Sequence, residues 1–314
     1  MALLKFQEHI SYMGWLNCIR LSNEEVELIV ATEVGIRILH FGFIGNKNIF
    51  YLSPDDLGRR GGDQWRIYGG HRLWHAPESF PGTYSPDNEP VSYSFESNML
   101  KLVQRVEKDT GILKEMDIYL SDKSNQLKIS HRLINKNSFA VKLSAWAISA
   151  LIPEGFGVIP QEPYGEGNDY LLPGRAMAVW HYTQMNDSRW VWGNKYILAK
   201  QDVSIHSEQK IGVLNKQGWT AYCMDEEFLI KVFDFDPAAE YPDFMSNNEI
   251  YFNGHFLELE TLGPYGEIPS LAKTELNEYW QLTKGKVEGT EKSIEDFLLP
   301  VLPGLRIWKK EHIA

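Results

Sequence analysis

The strongest constraint on this chain is a train of short runs rich in β-branched and aromatic residues, separated by turn-forming residues. Val26-Glu27-Leu28-Ile29-Val30 leads into Gly35-Ile36-Arg37-Ile38-Leu39-His40-Phe41. Val91–Phe95, Leu100–Val106, Leu113–Leu120, Gln126–Leu133 and Ala140–Ile148 follow. Side chains along a strand alternate between the two faces of its sheet, so runs of this kind suit half-buried strands. Asp109-Thr110-Gly111 stands between two alternating runs and reads as a hairpin turn. Helical periodicity is almost absent, and short strands at intervals of about 8–15 residues predict an all-β sandwich or barrel.

One short C-terminal helix is expected. Ser293-Ile294-Glu295-Asp296 has the form of a capping box before Phe297-Leu298-Leu299, with Pro300 and Pro303 predicted to close the helix. No low-complexity linker, internal repeat or shift of composition divides the chain. Residues 1–314 are therefore read as one domain.

Charge and motif content exclude several functions. The 31 Lys and Arg against 42 Asp and Glu give a net charge of −11 without any basic run, which argues against a nucleic-acid partner. Cys18 and Cys223 are too few for a disulfide framework or a multi-cysteine zinc site, and two thiols suit a reducing compartment. Met1-Ala2-Leu3-Leu4-Lys5-Phe6-Gln7-Glu8-His9 lacks the pattern of a secretory leader. No stretch approaches the roughly 18 apolar residues of a membrane span, so a cytoplasmic protein is expected. Gly-x-Ser-x-Gly, P-loop and Gly-x-Gly-x-x-Gly motifs are absent, and neither a cofactor nor a metal is expected. An oxygen-ligand divalent site would leave no readable spacing. The aromatic content is high, 13% with ten Trp. Such rings fill β cores, and they also stack on the apolar patches of sugars or bases.

Two clusters carry chemistry. The first, Tyr68-Gly69-Gly70-His71-Arg72-Leu73-Trp74-His75-Ala76-Pro77-Glu78, lies in a Gly- and Pro-rich stretch from Gly58 to Pro90 that is expected to be a long ordered loop. If extended, His71, Leu73 and His75 share one face, and Arg72 and Trp74 the other. If helical, His71 and His75 are i,i+4 neighbours able to bind a metal. The zincin signature needs Glu directly after the first His, where Arg72 stands. A surface loop with incidental histidines is the plain alternative.

The second cluster is His255-Phe256-Leu257-Glu258-Leu259-Glu260-Thr261-Leu262-Gly263-Pro264. As a strand it turns Leu257 and Leu259 to a core and Phe256, Glu258 and Glu260 to the other face, with the two carboxylates about 7 Å apart. Mutual repulsion would raise the pKa of at least one of them, as a general acid or base near neutrality requires. A solvated acidic strand is the alternative. Asp243, Lys231 and the Arg189-Trp190-Val191-Trp192 run are further candidates, though residues of this kind are more often ion pairs or edge residues than ligand contacts.

Taken in order, Leu28–Ile38, the Gly-Gly-His-Arg-Leu-Trp segment, the Trp146 strand with Pro153-Glu154-Gly155-Phe156-Gly157, Tyr241-Pro242-Asp243, and Glu258-Leu259-Glu260-Thr261-Leu262-Gly263-Pro264 resemble the galactose mutarotase-like superfamily. They are most similar to an uncharacterised bacterial branch of it. The resemblance runs from about Val26 to Leu282. It implies a β-supersandwich with a sugar-sized groove across one concave sheet, and a Glu base with a His acid acting at the anomeric centre. Glu260 would be the base, with Glu258 the runner-up. Two departures stand out. His71 follows the Gly-Gly pair rather than preceding it, and the middle strand Ser144-Ala145-Trp146-Ala147-Ile148-Ser149 lacks the second histidine.

The expectation is thus an aldose 1-epimerase-like enzyme. Glu260 is its base and His71 or His75 its acid, with Arg72, Lys231, Asp243 and Glu258 on substrate hydroxyl or acidic groups and Trp74 and Trp146 as a stacking floor. Arg72 and Lys231 leave room for a phosphorylated or acidic sugar. A noncatalytic sugar-binding module is the alternative from another class. Glycosidase or lyase chemistry by Glu258 and Glu260 is disfavoured, because glycosidase carboxylates flank the sugar.

Overall fold

The computed structural model describes residues 4–312, so Met1–Leu3 of the segment inspected for a leader lie outside the described residues. The alternating runs form two large sheets packed face to face. The first runs in the order Lys5–Tyr12, Trp15–Ser22, Val26–Ala31, Arg37–Phe43, His71–Ala76, Val141–Leu151, Leu257–Leu262, Asn248–Phe252, Gln209–Val213, Met177–Val179. The second runs Trp190–Trp192, Tyr196–Lys200, Phe156–Pro160, Trp219–Cys223, Glu227–Phe233, Lys273–Lys284, Gln126–Asn135, Ile112–Leu120, Met99–Val103, Ser92–Glu96. The all-β sandwich expected from the sequence is therefore the observed class. The hairpin at Asp109-Thr110-Gly111 joins two antiparallel neighbours, with Gly111 at a φ of +69°.

The stretch from Gly58 to Pro90 is not all loop. His71–Ala76 is a central strand, pairing antiparallel with Arg37–Phe43 on one side and Val141–Leu151 on the other. Its polar composition hid it, because His and Arg are weak markers of a central strand when burial cannot be seen. The extended alternative is the one realised, and the helical His71/His75 pair does not form.

Between the sheets lies the main core, with Leu28, Ile38, Phe41, Phe50, Leu73, Leu259, Leu229, Leu282 and Trp280 all buried. Fully burying one such side chain stabilises by about 1.5–3 kcal/mol. A second apolar cluster covers the outer face of the second sheet. There Ile294, Leu298, Leu302, Leu305 and Trp308 pack on Trp219, Ile230 and Tyr279. The spacing of these five residues marks one helical face. The expected C-terminal helix is present and extends to Glu311, through a wide turn at Ile294–Leu298 and a tight one at Leu299–Val301. Its cap is Thr290, whose hydroxyl accepts from the Ser293 N–H, rather than Ser293 itself. Pro300 and Pro303 do not close it, since each stands at the start of a turn, where a missing N–H is harmless. Among the described residues no helix is long and apolar enough to cross a membrane.

With one face of the second sheet roofed by this helix, the outer face of the first sheet is left to carry polar chemistry.

Candidate functional site

Four adjacent strands set out that face. The register aligns Arg72 with Ile148 and Ile148 with Glu260, and it aligns Glu260 with Glu249 on the next strand. Alternation then puts Arg72, Trp74, Trp146, Glu258, Glu260 and Glu249 on one side of the sheet. Gln209–Val213 adds Lys210.

Lys210 ties the centre together. Its Nζ lies 2.8 Å from Glu249 Oε2 and 2.9 Å from Glu260 Oε2, and stands over the Trp146 and Trp180 rings at 4.6 and 4.7 Å. The Trp146 indole N–H also donates to Glu260 Oε2 at 2.8 Å. Glu260 Oε1 has no partner although Glu260 is only 1% exposed. Beside this group Arg72 holds Glu258 Oε1 at 2.9 Å and lies over the Trp74 ring at 4.6 Å.

The electrostatics separate the acids. Burial pushes the Glu249 carboxyl well above the ordinary carboxylate range, against the pull of Lys210 and with the help of Glu260 and Asp243. Burial also raises the Asp243 carboxyl, with Lys210 opposing. Glu258 is raised too, first by burial and then by Glu260, with Arg72 opposing. The Lys210 ammonium is held well above its usual value because the two glutamates outweigh its desolvation.

Asp243 reaches the cluster from an unusual turn. Asp243, Phe244 and Met245 have φ of 49°, 58° and 72°, a run of left-handed residues without glycine. Each such residue costs on the order of 1 kcal/mol, and strain of this kind gathers at functional sites. The turn leaves Phe244 90% exposed. Around the site Tyr84 packs edge to face on Trp65 and Trp74, which are tilted against each other, and the Tyr84 hydroxyl lies on the exposed Glu78. Burial lifts the Tyr182 hydroxyl above its usual range beside Lys210 and Glu260.

Not every residue expected from the sequence reaches this face. Arg72, Trp74, Trp146, Glu258 and Glu260 stand on it, with Asp243 beside Glu249. His71, His75 and Lys231 do not. They point the other way, because His71 and His75 alternate with Arg72 and Trp74, and Lys231 belongs to the second sheet.

Between the sheets these residues form a buried polar network. The Leu276 carbonyl can only accept, so His131 Nδ1 carries a proton toward it at 3.1 Å, leaving His131 Nε2 as acceptor. His71 Nε2 then donates to His131 Nε2 at 2.7 Å, and Ser149 Oγ donates to His71 Nδ1 at 2.8 Å. Burial holds His131 down at about 4 and His71 well below the usual histidine value, so both rings are neutral at pH 7. Glu278 accepts from Lys231 Nζ at 3.1 Å, from Trp280 Nε1 at 3.2 Å and from the Thr261 hydroxyl. His71, His131 and Glu278 could offer three ligand atoms to a metal ion. Their donors and acceptors are already matched, however, and the Lys231 ammonium supplies the positive charge that Glu278 needs. His75 lies near Glu107, 3.7 Å away, and burial holds it at about 4.

Lys210, Glu249, Tyr84, Trp180 and Tyr182 were not singled out from the sequence. The alternation in Lys210-Ile211-Gly212 and Glu249-Ile250-Tyr251 was a usable signal. It becomes specific only once the strand order brings Glu249 opposite Glu260.

No family model matches the chain, and no curated protein matches it. Solved structures do. A galactose mutarotase-like protein from Lactobacillus casei is 10% identical over 85% of this chain and 100% of its own, with a TM-score of 0.55. A galactose mutarotase related enzyme from Lactobacillus acidophilus is 6% identical over 86% of this chain and 99% of its own, also at 0.55. A TPR-domain containing protein from Parabacteroides distasonis is 15% identical over 91% of this chain, with a TM-score of 0.60, and the match spans 54% of that longer protein. With two sheets in this order and full-length matches of this kind, the chain has the galactose mutarotase-like fold.

Proposed function

We propose that the outer face of the first sheet binds a carbohydrate and exchanges protons at its anomeric centre, as an aldose 1-epimerase does. The observation that carries this reading is the placement of Glu260, with its free Oε1, and Glu249, whose carboxyl burial pushes toward its protonated form, on one buried floor bridged by Lys210. Glu260 Oε1 takes the proton of the anomeric hydroxyl while the C1–O5 bond breaks. The bond's electron pair goes to O5, which receives a proton from the Glu249 carboxyl. Rotation about C1–C2 and the reverse transfers close the ring as the other anomer. A base and an acid of different pKa are what this exchange requires. Trp74 and Trp146 supply the stacking floor. With Glu260 almost fully covered, a sugar reaches it by displacing part of the Trp65, Tyr84 and Tyr182 rim.

The inward turn of His71 and His75 favours a second reading, a sugar-binding module without turnover. Exchange NMR of anomeric protons across a panel of aldoses separates the two. Accelerated exchange of at least one sugar, lowered about 100-fold or more in Glu260→Gln, is expected for the enzyme. The rate should also fall as pH rises through the elevated pKa of Glu249, whose proton is then lost. Line broadening without exchange would leave the binding module, and silence across the panel would remove both readings.

A further inference from the structure

The same face has more acid than its cations can answer, and this bears on the charge of the ligand. Arg72 is engaged by Glu258, and Lys210 is held between Glu249 and Glu260. Against these two cations stand Glu258 and Glu260, both buried, with Glu249 the proton donor of the floor and with half-buried Asp243 and exposed Glu78 adding carboxylates at the rim. Lys231, the other cation expected to meet an anionic group, is sealed between the sheets on Glu278.

We infer that the site takes an aldose carrying a protonated amine in preference to a neutral or anionic sugar; this rests on the carbohydrate reading above. An ammonium brings what the site lacks. Its positive charge offsets the rim carboxylates, and its three N–H donors are answered by carboxylate oxygens such as those of half-buried Asp243. The indole faces of Trp65, Trp74, Trp146 and Trp180 add favourable surfaces for a cation, as Lys210 over Trp146 and Trp180 already illustrates. A phosphate or uronate would face Glu249, Glu258 and Glu260 without a free basic group among the described residues of this face. Asp243 is the residue placed to hold the ammonium, since its left-handed turn brings a half-buried carboxylate to the edge of the floor.

Calorimetric titration with glucosamine, N-acetylglucosamine, glucose, glucose 6-phosphate and glucuronate tests this, at a pH where the amine is protonated. Glucosamine is expected to bind at least about 10-fold more tightly than glucose and than its N-acetyl form, which keeps the size and removes the charge. The two anions should bind weakest, and Asp243→Asn should narrow the glucosamine-to-glucose ratio. Glucose binding as well as glucosamine, either anion binding best, or a ratio unchanged in Asp243→Asn would overturn the inference while leaving the carbohydrate reading in place. No binding by any of the five would remove both.

Discussion

At the scale of single residues, the decisive fact is which side of a strand each ionisable group takes. Lys231 and Lys210 are both buried, yet they do different things. Lys231 pairs with Glu278 inside the core, whereas Lys210 bridges Glu249 and Glu260 on the outer face. Removing one partner of a buried pair strands the other charge, which typically costs about 3–5 kcal/mol. Lys231→Met should therefore lower unfolding free energy by that order, and adding Glu278→Gln should recover part of it, as read by urea denaturation. If the single substitution changed stability by less than about 1 kcal/mol, the pair would not be the desolvated ion pair described above. Glu260 and its neighbour Glu258 were legible from Leu257-Glu258-Leu259-Glu260 alone, because alternation separates the leucines from the glutamates. The partners that set their chemistry were not, since Lys210 and Glu249 lie on other strands.

At the scale of elements, the strand His71–Ala76 divides the molecule's two polar systems. Its odd positions face the core and its even positions the site, so one short segment feeds both. The sequence allowed this reading as one of two geometries, and only the pairing with Arg37–Phe43 and Val141–Leu151 decides between them. The strand also predicts a pH dependence. Burial holds His75 at about 4, below its ordinary value, so the unfolded chain takes up a proton that the folded chain refuses. This contribution to stability is complete above pH 6.5 and is lost as pH falls toward 4. Wild-type protein should therefore lose about 2 kcal/mol more than His75→Gln between pH 7.5 and 5, measured by urea unfolding at each pH. Parallel curves for the two proteins would place His75 in water. The C-terminal helix teaches a related lesson. Its prolines read as stops because a single helix was assumed, whereas successive turns of different width let the chain run on.

At the scale of the whole molecule, fold and site were legible to different degrees. Periodicity and turn residues specify strands locally, and hence the sandwich. The site depends on which strands become neighbours, a long-range property that periodicity does not encode. Covering the second sheet with the C-terminal helix leaves one sheet face for chemistry. That face carries carboxylates, a lysine and indoles rather than the strand histidines. The most direct measurement is the anomeric exchange rate of the best-bound sugar with Glu249→Gln and with His71→Gln and His75→Gln, each confirmed folded by circular dichroism. Exchange that falls about 100-fold or more in Glu249→Gln and persists in both histidine variants is the expected result. Exchange retained in Glu249→Gln and lost in a folded histidine variant would contradict it, and would return the acid role to the core side of the strand.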